Sequence, residues 1–302
     1  MASTESQALS DMYSNWVSRM AANPDMDLDT MRDLFDGWHR VTREPGAVSY
    51  AHVDAGGVPA LWAIPEGAVD DRVLLFSHGG GYVGGSSASH RKVAGHLAKA
   101  AGVRALVYDY RRVPESPHPG PLEDARRVFD WLVAQGFSAG GIATVGDSAG
   151  GALSISLPLS LRDAGTALPS AIVALSPFLD LQATGATLET NAEVDKLASK
   201  PMIEQMAGLF LGTEGSPTDP LAAPLHANPA GLPPVYISVG GAEVLLDDSQ
   251  RFAKKAEAAG VDVTLEVVPE MQHVFHFLAG HAPEADQSVR NIGSWLRKHL
   301  LL

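Results

Sequence analysis

The pattern that most restricts how this chain can fold is an alternation, from about residue 72 to residue 176, of short apolar runs with longer amphipathic stretches. Runs of five or six residues rich in Val, Leu and Ile, bounded by turn residues, have the length of strands, and the stretches between them repeat with a helical period. The pattern predicts strands over 72–77, 104–109, 142–146 and 170–175, with helices over 89–101, 120–135 and 149–163. Strand–helix alternation at this spacing implies a mostly parallel central sheet flanked by helices on both faces. Upstream, "VSYAHVD" and "VPALWAI" flank Gly56 and Gly57 as a hairpin, and downstream "PVYISVG", a helix, "VTLEVVP" and a terminal helix resume the rhythm. A chain of 302 residues can bury one core of this kind, so a single α/β unit is expected rather than two domains.

Two segments stand outside the rhythm. Residues 1–45 read as two amphipathic helices, one carrying Met12, Trp16 and Met20, the other starting near Asp29 and carrying Met31, Leu34, Phe35 and Trp38. Residues from about 180 to 225 hold a helical, methionine-containing insert and the loop "GTEGSPTDPLAAP". The expected organisation is therefore an N-terminal helical cap over 1–45 and an α/β body over 46–302 with a cap insertion at about 180–225. Of the eight methionines, Met12, Met20, Met26 and Met31 lie in the first segment and Met202 and Met206 in the second, whereas the central sheet region has none. Methionine fills irregular apolar space, so these residues with Trp16, Phe35, Trp38 and Phe210 are expected to form an adaptable lid, although gluing the cap helices to the body is an equal reading. Deleting residues 1–40 is expected to leave the body folded.

The chain carries 22 Lys plus Arg against 35 Asp plus Glu, a formal charge of −13, and no basic patch, which argues against a nucleic-acid partner. No apolar run approaches the roughly 18 residues of a membrane span. The N-terminus lacks the basic and apolar regions of a secretory signal, so the expectation is a cytoplasmic protein. Zero cysteines remove disulfides, thiolate catalysis and Cys-ligated metals.

Two glycine-rich turns carry the chemistry. In "FSHGGGYVGG" (76–85), Gly79, Gly81 and Gly84 spell G-x-G-x-x-G, and Asp109 closes the next apolar run, where a ribose-binding acid would sit in a dinucleotide fold. Against that reading, "SSASH" intervenes before the predicted helix, and Gly84 to Asp109 spans 25 positions rather than about 20. The second turn, "ATVGDSAGG", sets Gly146-Asp147-Ser148-Ala149-Gly150 between a strand and a helix as G-x-S-x-G. Such a turn lifts a serine hydroxyl clear of the sheet at the N-terminus of a helix, although a plain capping serine would look the same in isolation. A serine nucleophile needs a base and an orienting acid, and both follow in the order acid, His. Glu243, Asp247 and Asp248 lie just past one predicted strand, and His273 and His276 just past the next. His273 is the candidate base, His276 is read as core packing between Phe275 and Phe277, and Asp247 is the fallback for Glu243. The first glycine turn then supplies backbone donors, so Gly80, Gly81 and Ala149 are the candidate oxyanion hole.

The motifs "HGGGY" at 78–82, "DYRRVPESPHPGPLEDA" at 109–125, "GDSAGG" at 146–151, "AEVLLDD" at 242–248 and "EMQHVF" at 270–275 resemble those of the hormone-sensitive-lipase family of α/β-hydrolases. The likeness runs from about residue 70 to the C-terminus, and the bacterial carboxylesterases, including monoterpene lactone hydrolases, look most similar. It implies an α/β-hydrolase fold with a helical cap, a triad of Ser148, Glu243 and His273, and an oxyanion hole of Gly80, Gly81 and Ala149. The family's usual acid is the first Asp of D-x-L-x-D, and here Glu243 stands in its place. Tyr82, Trp16, Phe35, Trp38, Met206 and Phe210 are the candidate substrate-contacting residues. The expected activity is hydrolysis of short- to medium-chain esters or small lactones with no metal or organic cofactor, in a chain compatible with a homodimer. Two alternatives stay open: an amidase or deacetylase using the same triad, and a non-catalytic small-molecule-binding protein on the same scaffold.

Overall fold

In the computed structural model, which describes residues 2–302, eight strands form one sheet in the order β1-β2-β4-β3-β5-β6-β7-β8. They are β1 (Val48–Asp54), β2 (Pro59–Pro65), β3 (Val73–Ser77), β4 (Arg104–Tyr108), β5 (Ile142–Asp147), β6 (Ala171–Leu175), β7 (Val235–Gly240) and β8 (Val263–Val268). The β1–β2 hairpin adds antiparallel strands at one edge, and every pairing from β4 through β3 to β8 is parallel. The helices are α1 (Gln7–Ala22), α2 (Leu28–Phe35), α3 (Ser87–Ala101), α4 (Gly120–Ala134), α5 (Ala149–Asp163), α6 (Thr187–Thr190), α7 (Lys200–Leu211), α8 (Leu246–Ala258) and α9 (Pro283–His299).

Alternation along the strands sorts the core into layers. Leu74 and Phe76 of β3 and Val145 of β5 join α3 and α9 in one apolar cluster, while Val73 and Leu75 of β3 and Ile142 of β5 join α4 and α5 in another. Each buried strand thus feeds both faces, which is why the runs read as continuously apolar. Because the strands from β4 to β8 all run the same way, the loops that follow β3, β5, β6, β7 and β8 emerge at one edge of the sheet, where open α/β sheets gather their functional groups.

The two segments outside the rhythm join different layers. Leu9, Tyr13 and Trp16 of α1, Leu34 and Phe35 of α2 and Trp38 of the following 3-10 turn belong to the α3/α9 cluster. Trp38 stacks on Phe277 with ring centroids 5.6 Å apart and planes at 11°. Ile203, Ala207 and Phe210 of α7 belong instead to the α4/α5 cluster. Among the described residues, no helix is long and apolar enough to cross a membrane.

Candidate active site

Ser148 stands between β5 and α5 with φ 52° and ψ −118°, a conformation that non-glycine residues avoid. Three backbone hydrogen bonds hold it there: its N–H donates to the Leu175 carbonyl (2.8 Å), and its carbonyl accepts from Ala152 (3.1 Å) and Phe178 (3.0 Å). The flanking glycines permit the turn by their missing side chains. A Cβ on Gly146 would collide with the Gly150 carbonyl, and one on Gly150 with the carbonyls of Ser77 and His78. The outcome is a serine at the sheet edge, held in a strained backbone by its neighbours.

The loop after β3 comes up beside it. The N–H of Gly79 donates to Asp147 Oδ1 (3.0 Å), and Tyr110 Oη donates to the His78 carbonyl (2.9 Å), with the two rings of that pair stacked at 4.2 Å. The Gly80 carbonyl accepts from Val83 (3.0 Å) and Gly84 (2.9 Å). Among the described residues no acceptor takes the N–H of Gly80 or Gly81, nor that of Ala149 at the first position of α5. Three unpaired donors beside a helix N-terminus make a seat for a developing oxyanion. Gly80 and Gly81 have φ of +115° and +61°, and a Cβ at Gly80 would strike the Gly84 carbonyl, whereas one at Gly81 would strike the Met206 sulfur. Asp109, the residue a dinucleotide fold would turn toward a ribose, accepts from the Ser87 N–H (2.5 Å) and hydroxyl (2.8 Å) and so is spent on the first residue of α3.

Glu243 follows β7 and His273 follows β8. Glu243 is wholly buried, and its Oε2 lies 2.7 Å from His273 Nδ1. Its Oε1 accepts from the Ser176 hydroxyl (2.7 Å) and the Gly240 N–H (2.5 Å), so both oxygens of the longer acid are held. Burial alone would lower the His273 pKa, but the charge and hydrogen bond of Glu243 outweigh it and hold the imidazole above the ordinary value of 6.5. With Nδ1 donating to the carboxylate, Nε2 is the free basic nitrogen. Ser148 and His273 line one cavity of about 30 Å³ together with Gly80, Gly81, Phe35, Trp38, Met202 and Met206. Among the described residues no hydrogen bond joins the Ser148 hydroxyl to His273.

The other candidates go elsewhere. His276 is fully buried with Nε2 near the hydroxyls of Ser238 (2.9 Å) and Ser288 (3.1 Å), and burial pushes its pKa down to about 4. Asp247 pairs with Arg251 (2.8 Å), and the buried Asp248 accepts the N–H groups of Leu179 and Asp180 (both 2.9 Å), so neither meets the imidazole. Phe35, Trp38 and Met206 line the cavity, but Trp16, Tyr82 and Phe210 do not. Trp16 packs behind Phe35 and Trp38, with ring centroids 5.9 and 5.2 Å away. Tyr82 and Phe210 stack on each other at 3.6 Å inside the α4/α5 cluster. All three are large apolar rings whose burial in the core outweighs exposure to a cavity of this size.

Sequence reasoning missed four supports. Ser176, at φ 45° after β6, links Glu243 to the His273 loop by also accepting the Val274 N–H (3.1 Å). Asp147 orients the glycine loop through Gly79. Asp195 of the insert, nearly buried, accepts the Val244 N–H (2.8 Å) beside the acid, and burial raises its pKa. Gln272 ties the residue before His273 to the insert through the Lys196 N–H (2.7 Å) and the Val194 carbonyl (2.9 Å). Only Asp147 carried a signal, its place inside G-x-S-x-G.

The family model described as alpha/beta hydrolase fold matches residues 74–277. Among curated proteins, an acetyl-hydrolase from Streptomyces hygroscopicus is 39% identical and aligns over 91% of this chain and 97% of its own length. Among solved structures, an esterase from the bacterial hormone-sensitive lipase family superposes with a TM-score of 0.94 at 41% identity, covering 99% of each chain. The structure of EstE5 soaked with p-nitrophenyl butyrate superposes with a TM-score of 0.89 at 35% identity over the whole of both chains. On this fold, these motifs and this similarity, the chain belongs to the α/β-hydrolases, as an esterase of the bacterial hormone-sensitive-lipase family.

Proposed function

We propose that this protein hydrolyses esters of about C2 to C8 acids, or compact lactones, through an acyl-enzyme on Ser148. His273 Nε2 takes the Ser148 proton as the hydroxyl attacks the carbonyl carbon, with the serine–imidazole bond forming in the substrate complex. Glu243 holds the imidazole by Nδ1 and stabilises its cation, and the N–H groups of Gly80, Gly81 and Ala149 receive the oxyanion. His273 then returns the proton to the leaving alcohol, and water resolves the acyl-enzyme by the same route. The observation that carries this reading is the 2.7 Å Glu243–His273 contact on the same cavity as Ser148 and two glycines with unpaired N–H groups.

Substrate size follows from the space available. The 30 Å³ at Ser148 holds little more than a water, whereas an apolar chamber of about 540 Å³ lies outside it, lined by Met20, Met26, Met31, Met202 and Met206 among others. Phe35, Met202 and Met206 line both spaces and stand between them. Entry requires the flexible Met202 and Met206 side chains to swing aside past the packed Phe35 ring, which suits a short acyl chain beside Ser148 and an apolar portion in the chamber. The acetyl-hydrolase relative and the p-nitrophenyl butyrate soak of EstE5 support the same size range.

The test is a series of p-nitrophenyl esters from acetate to palmitate, with small lactones and emulsified triolein. A maximum between C2 and C8, abolished in Ser148→Ala, with a phosphonate adduct on Ser148 alone by mass spectrometry, is expected. Long-chain triglyceride cleaved as fast as p-nitrophenyl butyrate, or an adduct on another residue, would refute the reading.

A further inference from the structure

The loop that carries His273 is held by a hydroxyl from the far end of the chain. Tyr13 of α1 is fully buried, 260 residues away in sequence, and its Oη donates to the His273 carbonyl at 2.8 Å. The same oxygen accepts from Trp38 Nε1 at 3.2 Å. An indole N–H can only donate, so the direction of the second bond is settled, and the single tyrosine proton goes to His273. Burial pushes the phenol pKa well above its ordinary value, which keeps that proton in place.

The peptide that receives it is an unusual one. Val274 lies in the left-handed region at φ 50°, ψ 49°, where a β-branched side chain is disfavoured, and such a backbone persists only where its surroundings over-determine it. Here the His273–Val274 peptide is gripped at both ends: Tyr13 holds its carbonyl and Ser176 Oγ holds its N–H at 3.1 Å. Ser176 also donates to Glu243, so one hydrogen-bonded chain runs Trp38–Tyr13–His273 backbone–Ser176–Glu243 and closes on the His273 ring. A rotation of this peptide would swing the imidazole on its Cα and lengthen the Glu243 bond.

We infer that Tyr13 is a positioning residue for the triad: its hydroxyl fixes the backbone from which His273 meets Glu243 and, in the substrate complex, the Ser148 hydroxyl. The N-terminal segment then contributes to turnover directly as well as by covering the cavity. The inference rests on the acyl-enzyme reading above for its kinetic consequences, but its structural content does not. A merely structural Tyr13 would fill core space, and its loss would lower stability and activity together.

The test compares Tyr13→Phe, which removes one oxygen, with Leu9→Ala, which opens a hole in the buried face of the same helix and leaves the hydroxyl in place. For p-nitrophenyl butyrate, Tyr13→Phe is expected to lower kcat at least 30-fold with KM within about threefold. The acidic limb of its pH profile should move to lower pH, because the charges that reach His273 are Glu243 and, after it, Asp195 and Asp147, and a longer Glu243 bond raises the imidazole pKa less. Leu9→Ala should lower Tm at least as far while keeping kcat within about threefold. The proton NMR resonance of His273 Nδ1, which needs no substrate, should broaden or move upfield in Tyr13→Phe only. An inactive wild type with that NMR difference present would sink the acyl-enzyme reading and leave the positioning role standing. Unchanged kcat and an unmoved resonance in Tyr13→Phe, or equal losses in the two variants, would overturn it. If Tyr13→Phe yields no folded protein, 3-fluorotyrosine at position 13 keeps the ring and strengthens the donor. The resonance should then shift, and one identical to wild type overturns the proposal.

Discussion

The N-terminal segment and the insert both wall the cavity at Ser148, yet they are rooted in opposite layers of the core. Phe35 and Trp38 reach the cavity from a segment whose Leu9, Tyr13, Trp16 and Leu34 are packed with α3 and α9. Met202 and Met206 reach it from α7, which buries Ile203, Ala207 and Phe210 with α4 and α5 while Pro201, Glu204, Gln205 and Gly208 stay exposed. One wall is rigid aromatic packing with interlocked rings, and the other is a half-exposed helix presenting thioethers. The difference teaches that two segments walling one cavity can be anchored unequally: the N-terminal side is locked by packed rings, and we propose that α7, held on one face only, is the side that gives way as a gate.

The most severe way to break this comparison is to remove residues 2–40. Six large apolar side chains would leave the core, and at roughly 1.5–3 kcal/mol each their loss is on the order of 10 kcal/mol, comparable with the whole stability of a typical domain. We expect no cooperative thermal transition by circular dichroism. A truncated protein that melts cooperatively within a few degrees of the full chain would return this segment to the status of a removable lid.

Next comes the glycine loop, in which Gly81 lies against Met206 and Gly80 does not. Gly80→Ala and Gly81→Ala should each cut kcat by about 100- to 1000-fold by displacing oxyanion donors. The added methyl at Gly81 meets the Met206 sulfur, whereas that at Gly80 meets the backbone carbonyl of Gly84. Adding Met206→Ala should therefore recover part of the activity of Gly81→Ala and none of that of Gly80→Ala. Equal recovery in the two double variants would mean that Met206 is not the obstacle.

A direct comparison sets Trp38→Ala against Met206→Ala. Truncating the stacked indole should cost about 3–5 kcal/mol and lower Tm by roughly 10 °C. Met206→Ala should shift Tm by no more than about 3 °C and raise kcat/KM for p-nitrophenyl decanoate relative to butyrate by about tenfold, as the passage to the chamber widens. If the two variants lose stability equally, α7 is as much a wall as the N-terminal segment.

The smallest effect is read in pH. His273 must be neutral to act as base and its pKa is raised, so kcat/KM should fall as pH drops through a value above 6.5. Its contribution to stability is present below the unfolded value near 6.5 and is lost as pH rises through the raised folded one. His276 has the opposite sign. Kept neutral to about pH 4, it makes the fold lose stability as pH falls from 6.5 toward 4, and urea titrations of His276→Asn should flatten that slope.

Much of the sheet was legible because strands buried on both faces leave long apolar runs. The runs at 72–77, 104–109, 142–146 and 170–175 became Val73–Ser77, Arg104–Tyr108, Ile142–Asp147 and Ala171–Leu175. The helix expected from residue 89 begins at Ser87, because Ser86 caps it in a reciprocal box with Ser89 that apolar periodicity does not register. That an acid after β7 and a histidine after β8 would lie close together was legible because strand ends converge, but the choice of Glu243 over Asp247 was not. The exclusion of Trp16, Tyr82 and Phe210 from the cavity was not, since an aromatic residue on an amphipathic helix or a glycine loop looks alike whether it faces a core or a ligand.

The sequence by itself determined the parallel α/β order, the serine turn, the glycine donors and the succession of acid and histidine, because each is written in residues near one another along the chain. Only the tertiary structure decided which acid meets the imidazole, how small the space at Ser148 is, and that Tyr13, Ser176, Asp195 and Gln272 hold the backbone around Glu243 and His273. Those contacts join positions tens to hundreds of residues apart through single hydroxyls, carboxylates and amides. Such groups leave no periodicity, and their partners are chosen by packing.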